Sequence, residues 1–350
     1  MKRDLAISIV GITRHQLYYE QKAGKQGRKP SATTQKRDED NLREADNSEV
    51  LNEITAIASD PDTDYGYRKM TFAMMMRGYL INHKKVYRLM KENMLLKEKH
   101  QRQPRPYVKY RRVAPTMPLQ VLEMDIKFVW VEEFRRHAFV LTVIDTFSRM
   151  LLGRKTAYSI KQSTVKELWE QIIENHLQPN DCLNRNIDIE VRNDNDSRFI
   201  ATSVQKFFKE NKLGQVFTHP YTPQENGHIE SFHAILSKKL NRYCFWSIDD
   251  LEQCLTLFYE KYNNQRLHSS TLYLPPLEFL RQFEMGNVEV KNDSKRRTTK
   301  FKLLIPYQQL SGIKSQEVVP CNHLKPLDGV EDDIFNEMHG AVTLLQPSVQ

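Results

Sequence analysis

The chain has 350 residues, of which 39% are hydrophobic and 27% charged, and a formal net charge of +8. That length accommodates two or three small domains, and that composition supplies a packed core. No apolar run approaches the ~18 residues of a membrane span. The start lacks a small-residue cleavage site, and Cys182, Cys244, Cys254 and Cys321 form no CxxC pair. A membrane protein, a secreted disulfide scaffold and a zinc ribbon are all disfavoured, and a reducing cytoplasm is expected.

The charge is unevenly placed. Residues 1–119 hold 24 Lys and Arg against 14 Asp and Glu, whereas the remainder holds 28 against 30. Within 66–119 the count is 14 against 2. A dense basic block beside a near-neutral remainder points to a polyanion-binding region next to a second domain.

In chain order, residues 1–21 read as a short helical piece. Residues 22–48 are highly charged without apolar periodicity and read as a linker or mobile helix. Three helices follow within 49–96, over about Glu49–Ser59, Tyr67–Met76 and the stretch after Asn82, which is a good N-cap. In the third, Val86, Leu89 and Met90 make a buried stripe, with Lys84, Arg88 and Lys91 on the open face. Two helices joined at Arg77-Gly78, the second basic on its open side, suggest a helix-turn-helix that enters a DNA groove. Residues 97–118 are basic and Pro-containing, with Tyr107 and Tyr110. Such a segment suits tracking a phosphate backbone.

From Leu119 the pattern changes to strands. "VLEMDIKFVWV" alternates, with Leu122, Met124, Ile126, Phe128 and Trp130 on one face and Glu123, Asp125 and Lys127 on the other. "HAFVLTVID" and "MLLGRKTA" follow after short turns, which forces antiparallel pairing. A helix over about Ser163–Asn175, a strand "IDIEVRND", a helix over Thr202–Glu210 and a strand "GQVFTH" call for parallel crossovers. The result is a five-stranded mixed α/β sheet. If the fourth strand lies beside the first, their junction is a switch point where such sheets place their sites.

Three acids fall there. Asp125 lies in the first strand and Asp194 directly after the fourth. Glu230 stands in "HPYTPQENGHIESFHAILSKKL", near the start of a helix whose apolar stripe is Ile229, Phe232, Leu236 and Leu240. Converging carboxylates have a physical use: they hold two divalent cations about 4 Å apart for in-line displacement at a phosphodiester. Each acid also has an ordinary reading, as a salt-bridged strand residue, a turn former and a helix N-terminal acid. Asp145, Asp196 and Glu225 are nearby competitors, and Asp145 in "VIDTFSR" is expected to close a turn.

"MDIKF", "RNDNDSRF" and "YTPQENGHIESFHAIL" resemble the three acidic motifs of DDE transposases with a retroviral-integrase catalytic core. Thirty-five residues separate Asp194 from Glu230, as in that family. "FYEKYNNQRLHSSTLYLPPLEF" is similar to the family's post-catalytic signature, and "DYGYRKM…VYRLMKENML" to the helix-turn-helix of OrfB-type products of the IS-three insertion-sequence family. The resemblance covers about residues 60–285. It implies an RNase H-like catalytic core over 119–285, preceded by an all-α helix-turn-helix domain over 49–96, and the basic patch "KNDSKRRTTKFK" makes 286–350 read as a basic accessory segment or tail. It implies Mg2+ or Mn2+, two per active site, held by Asp125, Asp194 and Glu230.

The implied activity is cleavage of DNA ends by water, then attack of the freed 3′-OH on a second phosphodiester. Double-stranded DNA is the expected substrate, met by Tyr221 and Gln224 on the approach loop and by Lys238 and Lys239. A homo-oligomer on DNA, a partner or fusion from an upstream reading frame, and a nucleoid-associated site in the bacterial cytoplasm are also expected. Two positions differ from the family's pattern: Asp196 replaces a Gly, and Ser237 replaces a cation, with Lys238 and Lys239 following. They motivate the competing reading, a catalytically inactive DNA-binding regulator derived from a transposase.

Overall fold

The computed structural model describes residues 3–18, 30–38, 41–97, 113–184, 188–219, 222–293, 298–310 and 325–326. It divides into two compact units, 1–33 and 34–350. The first holds helices α1 (Arg3–Val10) and α2 (Arg14–Leu17).

The stretch read as a charged linker contains strands β1 (Thr33–Asp38) and β2 (Asn41–Asp46), which form a three-stranded sheet with β3 (Tyr79–Leu80). Charge rather than apolar alternation secures this sheet. Arg43 forks onto both oxygens of Glu49 and also donates to Asp38, while only Thr34 and Ala45 are buried in the two strands. Helices α3 (Asn47–Ser59), α4 (Tyr67–Met76) and α5 (His83–Glu92) pack around Val50, Ile54, Met70, Met74, Val86, Leu89 and Met90. Asp46 caps α3 and Asn82 caps α5, each accepting a backbone N–H of the first turn. After α4 the chain turns through Gly78 at φ +90°, and a Cβ there would stand 2.4 Å from the Arg37 carbonyl oxygen. Only glycine fits this turn between the two helices.

The main sheet has the order β6-β5-β4-β7-β8. Its strands are β4 (Val121–Val131), β5 (Arg136–Asp145), β6 (Leu151–Ala157), β7 (Ile189–Asn193) and β8 (Leu213–Phe217). The first three pair antiparallel, and β7 runs parallel to β4 with Glu123 opposite Arg192. One face, with Leu122, Met124 and Ile126, is covered by α6 (Gln162–Ile172) and, beyond the short α7 (Ser197–Ile200), by α8 (Thr202–Glu210). Trp169 and Phe208 meet edge to face in that layer. The other face, with Val129, Val131, Ala138 and Val140, is covered by α9 (Gly227–Leu240) and, after the short β9 (Tyr243–Cys244), by α10 (Ile248–Asn264). Each large apolar side chain fully buried this way contributes about 1.5–3 kcal/mol. Phe128 and Trp130, on the same alternating face, are 53% and 43% exposed, and pack across the strands on Phe139 and His137.

Beyond α11 (Pro276–Glu284), strands β10 (Val288–Asp293) and β11 (Thr298–Leu303) form a hairpin. It packs through Val288 with Phe147, Leu274 and Phe279. The basic alternation of this segment therefore folds onto the core as far as Leu310.

Candidate active site

Parallel pairing of β4 with β7 puts the middle of the first strand beside the end of the second. Asp125 is half-buried on β4, its side chain 25% exposed. Asp194 follows β7 directly, where the backbone leaves the sheet. Burial and the negative charge of Asp125 raise the Asp194 carboxyl above its ordinary range, as expected for two acids sharing a site. Glu230 is exposed in the first turn of α9. One turn later, His233 Nδ1 stands 3.4 Å from an Asp125 oxygen. Among the described residues, no group of three His, Cys, Asp or Glu side chains is close enough to hold a metal ion. The set offers oxygen donors only, the kind magnesium takes. The repulsion between Asp125 and Asp194 is one that a cation would relieve.

A second set of acids, on the sheet or at its edge, has a different environment. Glu123, two residues before Asp125, is fully buried. It accepts hydrogen bonds from the backbone N–H of His228 at 2.9 Å and of Ile229 at 2.8 Å, and lies 2.6 Å from His228 Nδ1. Helix α9 has no side-chain cap from its own N-cap residue. Glu123 supplies that cap from the neighbouring strand, satisfying amides that a helix start leaves open, and so fixes the helix that carries Glu230. Asp145 closes the β5–β6 turn as expected, accepting from Ser148 and from the amides of Leu119, Phe147 and Ser148. Glu225 is 2% exposed and accepts from the His219 amide, with His219 Nδ1 3.0 Å away. The sequence reading named Glu123 only as a face-mate of Asp125, and its capping role had no local signal.

The two departures have structural accounts. Asp196 caps α7 and pairs with Arg198, whose guanidinium holds it below the usual carboxylate range. The charge added beside Asp194 is thus matched by a cation. Ser237 donates to the His233 carbonyl at 2.7 Å, a bond within the helix.

The cations expected to meet DNA separate into distinct groups. Lys239 is 8% exposed and pairs with Asp62 at 3.0 Å; Lys261 and Arg242 share the same acid. Lys239 is therefore a packing residue between the helical domain and the core, a correction to its expected role. Lys238 is exposed and pairs with Asp64. Lys84 and Lys91 are exposed on α5 and Arg88 is partly so. Gln224 is exposed in the 3-10 turn Pro223–Asn226; Tyr221 lies outside the described residues.

The post-catalytic signature also serves packing. Asn263 bridges both the N–H and the carbonyl of Leu151 on β6. Arg266 donates to the Asp62 carbonyl. Leu267 enters the helical domain's core, and its N–H donates to Tyr65 Oη at 3.0 Å.

The integrase core domain family matches residues 115–223, a second integrase core domain family matches 211–276, and an HTH-like domain family matches 44–103. The chain is 28% identical over 217 residues to the insertion element IS476 uncharacterized 39.2 kDa protein of Xanthomonas euvesicatoria, covering 61% of this chain and 60% of that one. It is 26% identical over 258 residues to the putative transposase InsK for insertion sequence element IS150 of Escherichia coli K12, covering 69% of this chain and 86% of that one. Among solved structures, the catalytic core domain of BIV integrase covers 48% of this chain and 97% of its own, at 16% identity and a TM-score of 0.34. The chain thus spans 60% of the length of the first relative. The mixed RNase H-like sheet lies within the residues that match the integrase core domain models, and the helical region before it matches the HTH-like model. Over these regions the chain is similar to insertion-sequence proteins, one of them named a putative transposase.

Proposed function

We propose that this chain cuts and joins the DNA ends of an insertion sequence, with Asp125, Asp194 and Glu230 as its catalytic carboxylates. The observation that carries the reading is the raised Asp194 carboxyl beside Asp125 at the β4–β7 junction. Two acids are held there at an electrostatic cost that a bound cation offsets. Asp125, Asp194 and Glu230 would hold magnesium or manganese, two ions per site. When bound, such ions activate the attacking oxygen and stabilise the leaving one.

The protein's own part is placement. Glu123 caps the start of α9 from β4, and Glu230 in the first turn of that helix would complete the set from there. His233 orients Asp125 from the same helix. Gln224 and Tyr221 would meet the strand near the scissile phosphate, and the open face of α5, with Lys84, Arg88 and Lys91, binds the duplex backbone. Water attacks first and releases a 3′-OH. That hydroxyl then attacks a second phosphodiester, one bond forming as another breaks, so no nucleotide cofactor is needed. Two ends require two active sites, hence a homo-oligomer on DNA.

The test is a joining assay with precut element-end DNA and magnesium. Asp194→Asn should lower joining by more than about 100-fold, beyond the scale that an outer partner of a metal site commands, while binding to the same DNA persists. Undiminished joining would remove the assignment. The regulator reading rested on Asp196 and Ser237. Arg198 balances the first and a helical hydrogen bond accounts for the second.

A further inference from the structure

The loop joining α3 to α4, "DPDTD" over 60–64, places three acids directly before the most basic stretch of the chain. All three reach across to the core. Asp60 takes Lys261, with Nζ 2.7 Å from its carboxylate. Asp62 takes Lys239, Lys261 and Arg242, and the Asp62 and Lys239 side chains are 10% and 9% exposed. These contacts are buried, and losing one partner would strand a charge. They form a latch between the helical domain and the core.

Asp64 differs. Its two partners are Lys238, at 2.6 Å, and Lys97. Their side chains are 65% and 57% exposed, against 34% for Asp64. Pairs this open contribute at most about 1 kcal/mol each and are screened by salt. Lys238 lies on the open side of α9, eight residues and about 12 Å along the axis from Glu230. Lys97 opens the basic segment that continues with Arg102, Arg105, Lys109, Arg111 and Arg112. One carboxylate thus gathers two cations beside the proposed active site, in the manner of a DNA phosphate.

We propose that Asp64 is an internal competitor for DNA phosphate, which holds Lys97 and Lys238 together in the free protein and yields them to the duplex. The proposal rests on the DNA-joining reading only in taking DNA as the polyanion. In the exchange, the two lysine–carboxylate contacts break and two lysine–phosphate contacts form. The released Asp64 carboxylate then takes up a cation from solution. That uptake cancels part of the counterion release that drives binding.

The experiment uses the full chain, without added metal, and a 30-base-pair duplex, with anisotropy followed across a salt series. Asp64→Asn should bind about 3- to 10-fold tighter at low salt, and its plot of log affinity against log salt should be steeper by about one. Glu210→Gln makes the same charge change at an exposed site on α8, across the sheet from α9, and should do neither. Adding Lys97→Ala and Lys238→Ala to Asp64→Asn should erase the gain. If Asp64→Asn matches Glu210→Gln, if the gain survives loss of both lysines, or if wild type binds no DNA, the competitor is overturned. A melting temperature lowered by several degrees in Asp64→Asn would also overturn it, by making Asp64 part of the latch. Joining and metal play no part in this assay, so its failure is separable from that of the catalytic assignment.

Discussion

Two kinds of carboxylate stand on the main sheet and the elements that flank it. Glu123, Asp145 and Glu225 are buried and surrounded by donors, each accepting backbone N–H groups. Asp125, Asp194 and Glu230 are half-buried or exposed, and at Asp194 burial and the charge of Asp125 outweigh the opposing pull of Arg198. The first set holds the backbone in place. In the second, the raised Asp194 carboxyl is the kind of perturbation that marks a candidate functional site. Identical side chains therefore divide by solvation and donor supply.

The sharpest way to break this contrast is to empty one member of each set. Glu123→Ala should cost about 3 kcal/mol in denaturant unfolding, because it leaves the amides of His228 and Ile229 without an acceptor. Asp125→Asn should lower joining by more than about 100-fold while leaving stability unchanged or slightly higher, since it removes repulsion. Equal destabilisation by the two substitutions would erase the distinction.

The latch gives the next largest effect. Asp62→Ala should cost about 2–4 kcal/mol by leaving Lys239 buried without its acid. Its partners lower the folded pKa of Asp62 despite burial. Its contribution is therefore complete above the unfolded value of about 4 and is lost as pH falls through the lower folded value. Acid titration of wild type followed by amide exchange should show the contacts of 60–66 opening in that acid window, and Asp62→Ala should lack the transition. On α5, Lys84→Ala with Lys91→Ala should reduce the DNA salt slope by about two. An unchanged slope would remove that face from the DNA path. The smallest effect is expected from Asp196→Gly. It replaces one good N-cap by another at a cost of a few tenths of a kcal/mol, and joining should stay within a few-fold of wild type.

Much of the fold was legible because its signals are local. The alternation of "VLEMDIKFVWV", the short turns on either side of β5 and the helix lengths gave the strands, the antiparallel trio and the parallel crossovers, while the pairing of β7 with β4 stayed a condition that the structure meets. Asn82 and the Val86, Leu89 and Met90 stripe announced α5 in the same way. The strands β1 and β2 escaped notice because their pairing is held by Arg43, Asp38 and Glu49 rather than by apolar periodicity. Alternation put Phe128 and Trp130 on the face of Leu122, Met124 and Ile126, but period two names a face and not whether a helix covers it.

By itself, the sequence determined which acids could converge, since strand position and the interval between Asp194 and Glu230 are properties of the chain. Tertiary structure alone decided what neighbours each acid and each lysine. Glu123 and His228 are 105 residues apart in sequence, and Lys239 and Asp62 are 177 apart. Adjacent on one helix, Lys238 and Lys239 look alike in the sequence. A rotation of about 100° turns one to solvent and the other into the latch, because burial depends on what the rest of the chain packs against each face.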